Sequence, residues 1–199
     1  MRGNRGTLKP FSTALFLVPA LAVLGILAGS QPIASAGEKE SAITRKEVST
    51  FTVVGIEART DNRREAGEAG VIPGQWQKFF SQDIPAKIPN KTGPDFYAIY
   101  ARYSSGHNGE YNYVVGARVK DGTVPPEGMV AIRVAAGNYA VFTTDKGPLA
   151  KIMPAAWQKI NQLADGGKLR RKYQTDFEVY DQRAQDPQNA QVEIYVGIL

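Results

Sequence analysis

Residues 73 to 116 read PGQWQKFFSQDIPAKIPNKTGPDFYAIYARYSSGHNGEYNYVVG, and residues 154 to 197 read PAAWQKINQLADGGKLRRKYQTDFEVYDQRAQDPQNAQVEIYVG. The second stretch follows the first by 81 positions (154 − 73) without a gap, and 12 of the 44 aligned pairs are identical, about four times the chance number for average residue usage. The identical pairs are Pro73/Pro154, Trp76/Trp157, Gln77/Gln158, Lys78/Lys159, Lys87/Lys168, Lys91/Lys172, Asp95/Asp176, Phe96/Phe177, Arg102/Arg183, Asn108/Asn189, Val115/Val196 and Gly116/Gly197. Such a repeat predicts one supersecondary unit used twice, with the two copies packed around a shared core because each is too small to bury its own apolar face. The cleft between the copies is therefore the predicted functional site.

Each copy has the pattern of a strand, a helix and two further strands. In the first copy, a β-branched and aromatic run at residues 51 to 56 predicts a strand, and Ile72-Pro73 opens a helix that Pro85 is expected to stop. Between them, residues 61 to 70 predict a mobile loop. The other predicted elements are strands at residues 96–103 and 111–120, strand material at 129–144, a helix at about 149–163 that ends at Gly166-Gly167, and strands near 175–183 and 191–198.

These elements predict an α+β domain made of duplicated strand-helix-strand-strand units with pseudo-twofold symmetry. The copies span about residues 47–120 and 129–199, and an antiparallel sheet carries the two helices, with a ligand cleft between the copies. Side chains alternate along a strand, so the repeat alignment also predicts the two faces of the sheet. Phe96 and Phe177 are aligned and identical, and we expect both on the face that packs the core. Tyr97 and Glu178 are aligned but different, and we expect both on the face that lines the cleft.

The N-terminal 36 residues have the features of a signal peptide. Arg2, Arg5 and Lys9 precede an uncharged apolar run at residues 11 to 28, and Ala34-Ser35-Ala36 is a small-residue cleavage pattern. A retained membrane anchor is the alternative, since the run is close to the shortest spanning helix. We predict cleavage, export to the periplasm or medium, no stable membrane insertion afterwards, a polar tether at residues 37 to 46, and an effector-binding domain at residues 47 to 199.

The chain without its first 36 residues is nearly neutral. Three of the 24 lysines and arginines and none of the 19 acidic residues lie in that segment, so 21 basic residues remain against 19 acidic ones. This net charge of +2 does not favour nucleic acid as a partner. The chain has no cysteine, so its stability must come from a core, for which the remaining 163 residues (199 − 36) suffice.

Several enzyme signatures are missing from the sequence. It has no Gly-x-Ser-x-Gly, phosphate-loop or Gly-x-Gly-x-x-Gly motif, and with His107 as its only histidine it cannot form a His-based triad or a His/Cys metal cluster. We predict no metal and no cofactor. His107 lies in a Gly/Ser/Asn turn and is expected to be an exposed loop residue. The basic run at residues 168 to 172 follows a predicted helix end, where cations are stabilised by the helix dipole and stay solvated.

Glu178 is the charged residue that most clearly suggests a site. It lies in the middle of a predicted strand, and a carboxylate on an inward face needs hydrogen-bonding or cationic partners. A buried carboxylate in an aromatic box suits a cationic or amine-bearing ligand. The alternatives are that Glu178 is solvated or pairs with Arg102 or Arg183. The aromatic candidates for ligand binding are Tyr97, Tyr180, Tyr195, Trp76, Trp157, Tyr139 and Phe142.

The chain resembles a known family in an ordered set of stretches that extends over about residues 50 to 199. The stretches are VVGI (53–56) with Arg59-Thr60, Ile72-Pro73 with Trp76 and Phe79, YVVG (113–116) with Val119, GNYAVF (137–142), DFEVY (176–180) and VEIYV (192–196). In this order they are similar to the gyrase-inhibitor-like (GyrI-like) effector-binding domain, a module attached to AraC- and MerR-type regulators. The resemblance implies the duplicated fold with a ligand pocket between the copies, and it places the pocket acid of the family's Phe-Glu-x-Tyr motif on Glu178.

Two features depart from that family. Only about ten residues separate the predicted cleavage site from the first strand, too few for a helix-turn-helix domain. A signal peptide also argues against gyrase inhibition, because gyrase is cytoplasmic.

We therefore predict an exported, stand-alone small-molecule binding domain for hydrophobic, cationic or amine-bearing ligands. The sequence leaves the oligomeric state open and favours a binding protein over an enzyme. The resemblance also includes hydrolases of strained cyclopropane-bearing compounds, so the alternative is a hydrolase of small strained or electrophilic compounds. In that case Glu178 is the general base and Tyr97, Tyr180 or Tyr195 positions or protonates the substrate.

Overall fold

The computed structural model describes residues 43 to 199. The predicted signal peptide at residues 1 to 36 lies outside the described residues. The strands are β1 (Thr44–Val48), β2 (Phe51–Thr60), β3 (Lys91–Ala101), β4 (Tyr111–Val119), β5 (Val130–Val134), β6 (Gly137–Thr143), β7 (Thr175–Tyr180) and β8 (Glu193–Gly197). The helices are α1 (Asn62–Glu65), α2 (Ile72–Ser81), α3 (Ile84–Lys87) and α4 (Leu149–Asp165), and Gln182–Ala184 form a 3₁₀ turn.

All eight strands form one antiparallel sheet in the order β1-β6-β8-β7-β3-β4-β2-β5. The strands of the first copy, β2, β3 and β4, lie together, and those of the second copy, β6, β7 and β8, lie together beside them. The copies meet where β3 pairs with β7. This arrangement confirms the predicted α+β fold of duplicated strand-helix-strand-strand units.

The repeat is longer in the structure than in the sequence alignment. β1 and β5 both have five residues and both begin and end 86 residues apart (130 − 44 and 134 − 48), and β2 and β6 also begin 86 residues apart (137 − 51). β1 pairs with β6 and β5 pairs with β2. Each copy therefore places its first strand on the outer edge of the other copy, which ties the two halves together.

The pairing of the strands fixes which residues of the two copies are equivalent. In each copy, pairing connects the second strand to the fourth and the fourth to the third. In the first copy Gly55 pairs with Gly116, which also pairs with Tyr97. In the second copy Val141 pairs with Tyr195, which also pairs with Phe177. Tyr97 is therefore equivalent to Phe177, at an offset of 80 rather than 81 (177 − 97). At this offset Ala98 is equivalent to Glu178, and the two residues lie directly opposite each other where β3 meets β7. The pseudo-twofold axis passes between them.

This offset corrects the predicted faces. Phe96 pairs with Tyr180, whereas Phe177 pairs with Ile99. Residues of β3 and β7 that are 80 positions apart share a face, and side chains alternate along a strand. Residues that are 81 positions apart therefore lie on opposite faces, which applies to Phe96 and Phe177 and to Tyr97 and Glu178. The expectation that each pair shares a face was wrong.

The helices α2 and α4 pack on the face that carries Glu178. On that face Phe79 of α2 and Ile160 of α4 are completely buried, in two clusters that share Trp157. Phe177 faces the other way and is buried in a cluster with Phe51, Ile99, Val114 and Tyr139. Phe177 is thus a core residue as predicted, but in the core of the face without helices.

Glycine is required where β2 and β4 cross closely. Gly55 and Gly116 are paired, and a Cβ atom on either would overlap the backbone of the opposite strand. A side chain at either position would force the strands apart. This contact keeps the first copy compact beneath α2.

Three local predictions need correction. Pro85 does not end α2, which stops at Ser81; it occupies the first turn of α3, where its missing N–H group costs nothing. The segment at residues 61 to 70 contains α1, capped by Asp61, whose side chain accepts a hydrogen bond from the Arg64 backbone. The end of the predicted tether, residues 44 to 46, belongs to β1.

Candidate functional site

Glu178 lies at the centre of the helix-covered face and is almost completely buried, with 1% of its surface exposed. Three neutral groups donate hydrogen bonds to its carboxylate. The Tyr100 hydroxyl and the Trp157 indole N–H contact Oε1 at 2.7 and 2.6 Å, and the Tyr180 hydroxyl contacts Oε2 at 2.8 Å. The acid therefore receives hydrogen bonds from both copies of the repeat.

Within residues 43 to 199, the charge of Glu178 has no lysine or arginine partner. The two predicted candidates lie elsewhere: Arg102 is near Glu57, and Arg183 pairs with Asp181 and Glu193. Burial raises the pKa of Glu178 above its ordinary value, and the three hydrogen bonds only partly oppose that shift. The predicted alternatives of a solvated Glu178 or a pair with Arg102 or Arg183 are wrong. The site holds an isolated negative charge whenever this carboxyl group is ionised.

Four aromatic rings surround Glu178 with the symmetry of the repeat. The ring of Trp76 lies 4.6 Å from that of Tyr180, and the ring of Trp157 lies 4.8 Å from that of Tyr100, with nearly equal interplanar angles of 59° and 56°. Trp76 and Trp157 are aligned in the two copies, and Tyr100 and Tyr180 are equivalent at the offset of 80. We call these four side chains the aromatic frame. Each tryptophan packs on the tyrosine of the other copy, so the frame crosses the axis twice.

The symmetry of the frame breaks at the indole N–H groups. Trp157 donates to Glu178, whereas Trp76 donates to the Tyr113 hydroxyl at 2.8 Å. The cause is the residue on the axis, which is Glu178 in the second copy and Ala98 in the first. Both tryptophans are only partly buried. Trp157 contacts the acid directly, and the carboxylate of Glu178 is closed off from solvent.

The structure brings together four of the eight predicted site residues: Glu178, Tyr180, Trp76 and Trp157. Tyr97, Tyr139 and Tyr195 lie on the opposite face, around Phe177. Phe142 is on the helix-covered face but packs beneath α4 in the cluster of Ile160 and Ile194. Tyr97 and Tyr195 therefore cannot assist Glu178 as proposed for the hydrolase.

Sequence reasoning missed Tyr100 and Tyr113. Both are completely or almost completely buried, and burial raises the pKa of both hydroxyls well above the ordinary value. The signal for Tyr100 was its spacing of 80 residues from Tyr180, which an alignment at 81 residues hides. Tyr113 carried no signal beyond its place in the YVVG stretch.

A buried ion pair lies beside the aromatic frame. Arg171 contacts Asp176 at 2.6 Å, Asp176 accepts further hydrogen bonds from Tyr103 and the Gly197 backbone, and the guanidinium lies 5.6 Å from the Trp157 ring centroid. Arg171 was expected to be solvated with the rest of the basic run, and that expectation was wrong for this residue. The pair neutralises itself, so it does not offset the charge of Glu178.

His107 is also less exposed than expected. Its Nδ1 atom lies 3.3 Å from the Tyr173 hydroxyl and its Nε2 atom lies 3.6 Å from Asp165 at the end of α4, and 18% of its side chain is exposed. The β3–β4 hairpin of the first copy thus contacts the second copy.

The comparison with protein families agrees with this architecture. A family model described as Cass2, integron-associated effector binding protein, matches residues 46–198. The chain belongs to the Cass2 family. Its members are effector-binding proteins, which confirms the predicted GyrI-like effector-binding domain and small-molecule binding.

Two relatives of the Cass2-family chain are named as transcriptional regulators. This chain is 35% identical over 159 residues to YobU of Bacillus subtilis strain 168, and the match covers 79% of this chain and 97% of YobU. It is also 35% identical over 156 residues to the regulator BrlR of Pseudomonas aeruginosa, covering 74% of this chain. The match spans 52% of BrlR, so this chain corresponds to about half of that relative.

Two solved structures share the fold. The integron cassette protein of Vibrio cholerae has a TM-score of 0.64 and 23% identity, with coverage of 79% of this chain and 95% of its own. The protein SAV2435, solved with tetraphenylphosphonium bound, has a TM-score of 0.63 and 17% identity, with coverage of 79% and 93%. In the part of the chain that the structure describes, no helix is long and apolar enough to cross a membrane.

Proposed function

We propose that this domain binds a hydrophobic monocation or amine between α2 and α4, with Glu178 as its counter-charge. The observation that carries the proposal is the isolated negative charge of Glu178 inside the aromatic frame. A cation placed there supplies the missing partner, and the four rings supply cation–π attraction and apolar contact. The buried ion pair of Arg171 and Asp176 leaves Glu178 as the uncompensated buried charge of this region, which favours a single positive charge on the ligand.

Binding requires the closed site to open. Trp157 donates a hydrogen bond to Oε1 of Glu178, and Tyr180 donates one to Oε2. The ligand therefore selects or induces a state in which the Trp157 side chain has left the carboxylate. The tetraphenylphosphonium bound to SAV2435 is a lipophilic monocation, and a fold neighbour with that ligand supports the choice of ligand class.

Calorimetric titration with tetraphenylphosphonium tests the proposal. We expect Glu178→Gln to weaken binding by roughly 10- to 100-fold, since a desolvated charge pair and its cation–π contacts contribute a few kcal/mol. Glu68→Gln, on the exposed segment after α1, is the matched control and should leave the affinity unchanged. Equal affinities of the wild type and Glu178→Gln would remove Glu178 from the proposed role.

Hydrolysis is the second candidate, favoured by the raised pKa of Glu178 next to the hydroxyls of Tyr100 and Tyr180. A carboxyl group whose pKa is raised above its ordinary value suits general acid–base catalysis. Turnover of small epoxides and activated esters that is lost in Glu178→Gln would establish it. Binding of such compounds without turnover would reject it.

We also propose that the protein is exported, without nucleic acid as a partner and without stable membrane insertion after processing. The support is the charged start, the apolar run at residues 11 to 28 and the Ala34-Ser35-Ala36 pattern. Mass spectrometry of the mature N-terminus is the test. A first residue of Gly37 in the exported fraction supports cleavage, and an intact Met1 in the membrane fraction contradicts it.

A further inference from the structure

The face without helices carries two recesses in equivalent positions of the two copies. One lies over the start of β3, has a volume of about 180 Å³ and is lined by Thr92, Gly93, Asp95, Tyr97 and Arg118. The other lies over the start of β7, and its volume is about 10 Å³. Its lining includes Lys172 and Thr175, which the offset of 80 makes equivalent to Thr92 and Asp95.

The chemistry of the two recesses differs although their positions match. Arg118 lies two residues after Gly116, so its equivalent is Gly197, two residues after Tyr195. The second copy therefore has Thr175 and Gly197 where the first has Asp95 and Arg118. The recess of the first copy has the larger volume. It lies at a break in the register of β3 between Lys91 and Phe96, where residues 92 to 95 form a bulge in the pairing with β4. As with Glu178 and Ala98, only one copy carries the acidic residue, and Lys172 is the charged residue that lines the recess of the other copy.

The larger recess holds two opposite charges that do not neutralise each other. Within residues 43 to 199, neither Asp95 nor Arg118 forms an ion pair. The Arg118 guanidinium lies 4.8 Å from the Phe51 ring centroid and is hydrogen-bonded to the Tyr97 hydroxyl, which leaves its other N–H groups available to an anion. Burial and the neighbouring Asp181 raise the pKa of Asp95, and the charge of Arg183 opposes this rise only in part. Tyr97, in ring contact with Phe51 at 5.6 Å, gives the recess an apolar wall.

We propose that this recess binds a free α-amino acid, with the carboxylate on Arg118, the ammonium group on Asp95 and the side chain against Tyr97. A ligand with one charge would satisfy one of these residues and leave the other unpaired, whereas a zwitterion satisfies both. The volume of about 180 Å³ is many times the roughly 10–15 Å³ that one water molecule needs, which suits a small or medium amino acid. Tyr97, Asp95 and Arg118 thus form a second ligand site on the opposite side of the sheet from Glu178.

Three probes of nearly the same shape test the charge requirement. L-leucine has both charges, isopentylamine lacks the carboxylate, and 4-methylpentanoate lacks the ammonium group. Each is titrated into the ¹⁵N-labelled protein, and backbone amide shifts at Gly93, Asp95 and Tyr97 are followed. We expect saturable shifts with L-leucine and binding at least about tenfold weaker with either single-charge analogue. Shifts of equal size and affinity with all three probes, or no shift at these amides with L-leucine, would overturn the proposal.

Variants separate this site from that of Glu178. Arg118→Met and Asp95→Asn should each weaken L-leucine binding by about tenfold or more, whereas Arg63→Met, on the exposed helix α1, should not. Gly93→Leu tests the site independently of charge, because a Cβ atom at Gly93 meets open space and the longer side chain fills the recess. It should abolish L-leucine binding while Glu178→Gln leaves it unchanged. Retained binding in Gly93→Leu, or its loss in Glu178→Gln, would refute the site.

Discussion

The two copies of the repeat supply the same aromatic frame, but only the second supplies a charge at its centre. Trp76 with Tyr180 and Trp157 with Tyr100 are arranged almost identically about the axis. At the axis itself, Glu178 faces Ala98. Residues that hold the copies together are thus repeated, whereas the residue that gives the site its charge occurs once. The same holds on the opposite face, where Asp95 and Arg118 have no charged equivalents.

The largest expected effect concerns Phe177 and its structural equivalent Tyr97. Phe177 is 3% exposed and stacks on Tyr195 at 4.5 Å, so Phe177→Ala should lower the free energy of unfolding by about 3–5 kcal/mol. Tyr97 is only partly buried beside a recess, and Tyr97→Ala should cost about 1–2 kcal/mol. Urea unfolding of the two variants measures both losses. Equal losses would show that the core on this face is not centred on the second copy.

Moving the acid to the other copy tests the symmetry of the frame. Glu178→Ala should weaken tetraphenylphosphonium binding by roughly 10- to 100-fold. The double variant Ala98→Glu/Glu178→Ala should recover most of that loss, because Tyr100, Tyr180 and Trp76 are then placed to donate to the new carboxylate. The comparison is made by calorimetry, with unfolding curves to confirm that both variants are folded. No recovery in a folded double variant would mean that the frame is not functionally symmetric.

These equivalences show where the sequence alignment succeeds and where it fails. The element types, the duplication and the inward position of Glu178 follow from the sequence, since Trp76 and Trp157 fix the helices and the Gly166-Gly167 pair ends α4. The faces of β3 do not follow, because both of its faces are apolar: Phe96, Ala98 and Tyr100 alternate with Tyr97, Ile99 and Ala101. Only the pairing of β3 with β7 decides which set faces the helices.

The change of offset has a physical origin in the connections. The copies differ in what joins their elements: α3 and the bulge of β3 occur in the first, and α4 is longer than α2. The offset is 86 at the first strands, 81 at the tryptophans and 80 at β3 and β7. A gapless alignment applies one offset, here 81, to the whole repeat. An error of one residue then assigns every side chain of a strand to the wrong face. Tyr97 was therefore assigned to the wrong site.

A smaller effect is expected on stability when Glu178 loses its charge. Its pKa is raised by burial, so the folded state favours the protonated form, and the wild type loses stability as pH rises through that pKa. Glu178→Gln lacks this loss. The two proteins should have similar melting temperatures near pH 4, and the variant should gain relative to the wild type toward pH 8, by about 2–4 °C for each kcal/mol. Thermal melts across this range measure the difference; a gap that narrows as pH rises would mean that the carboxylate is stabilised in the fold.

The most direct test of the central claim is the affinity for tetraphenylphosphonium as a function of pH between about pH 4 and pH 8. A cation bound by the ionised Glu178 should bind more tightly as pH rises through the raised pKa of this group, and the affinity should be lost on acidification. The affinity of Glu178→Gln should be weak and independent of pH over the same range. An affinity of the wild-type protein that stays constant across the range would contradict the assignment of Glu178 as the counter-charge of the ligand.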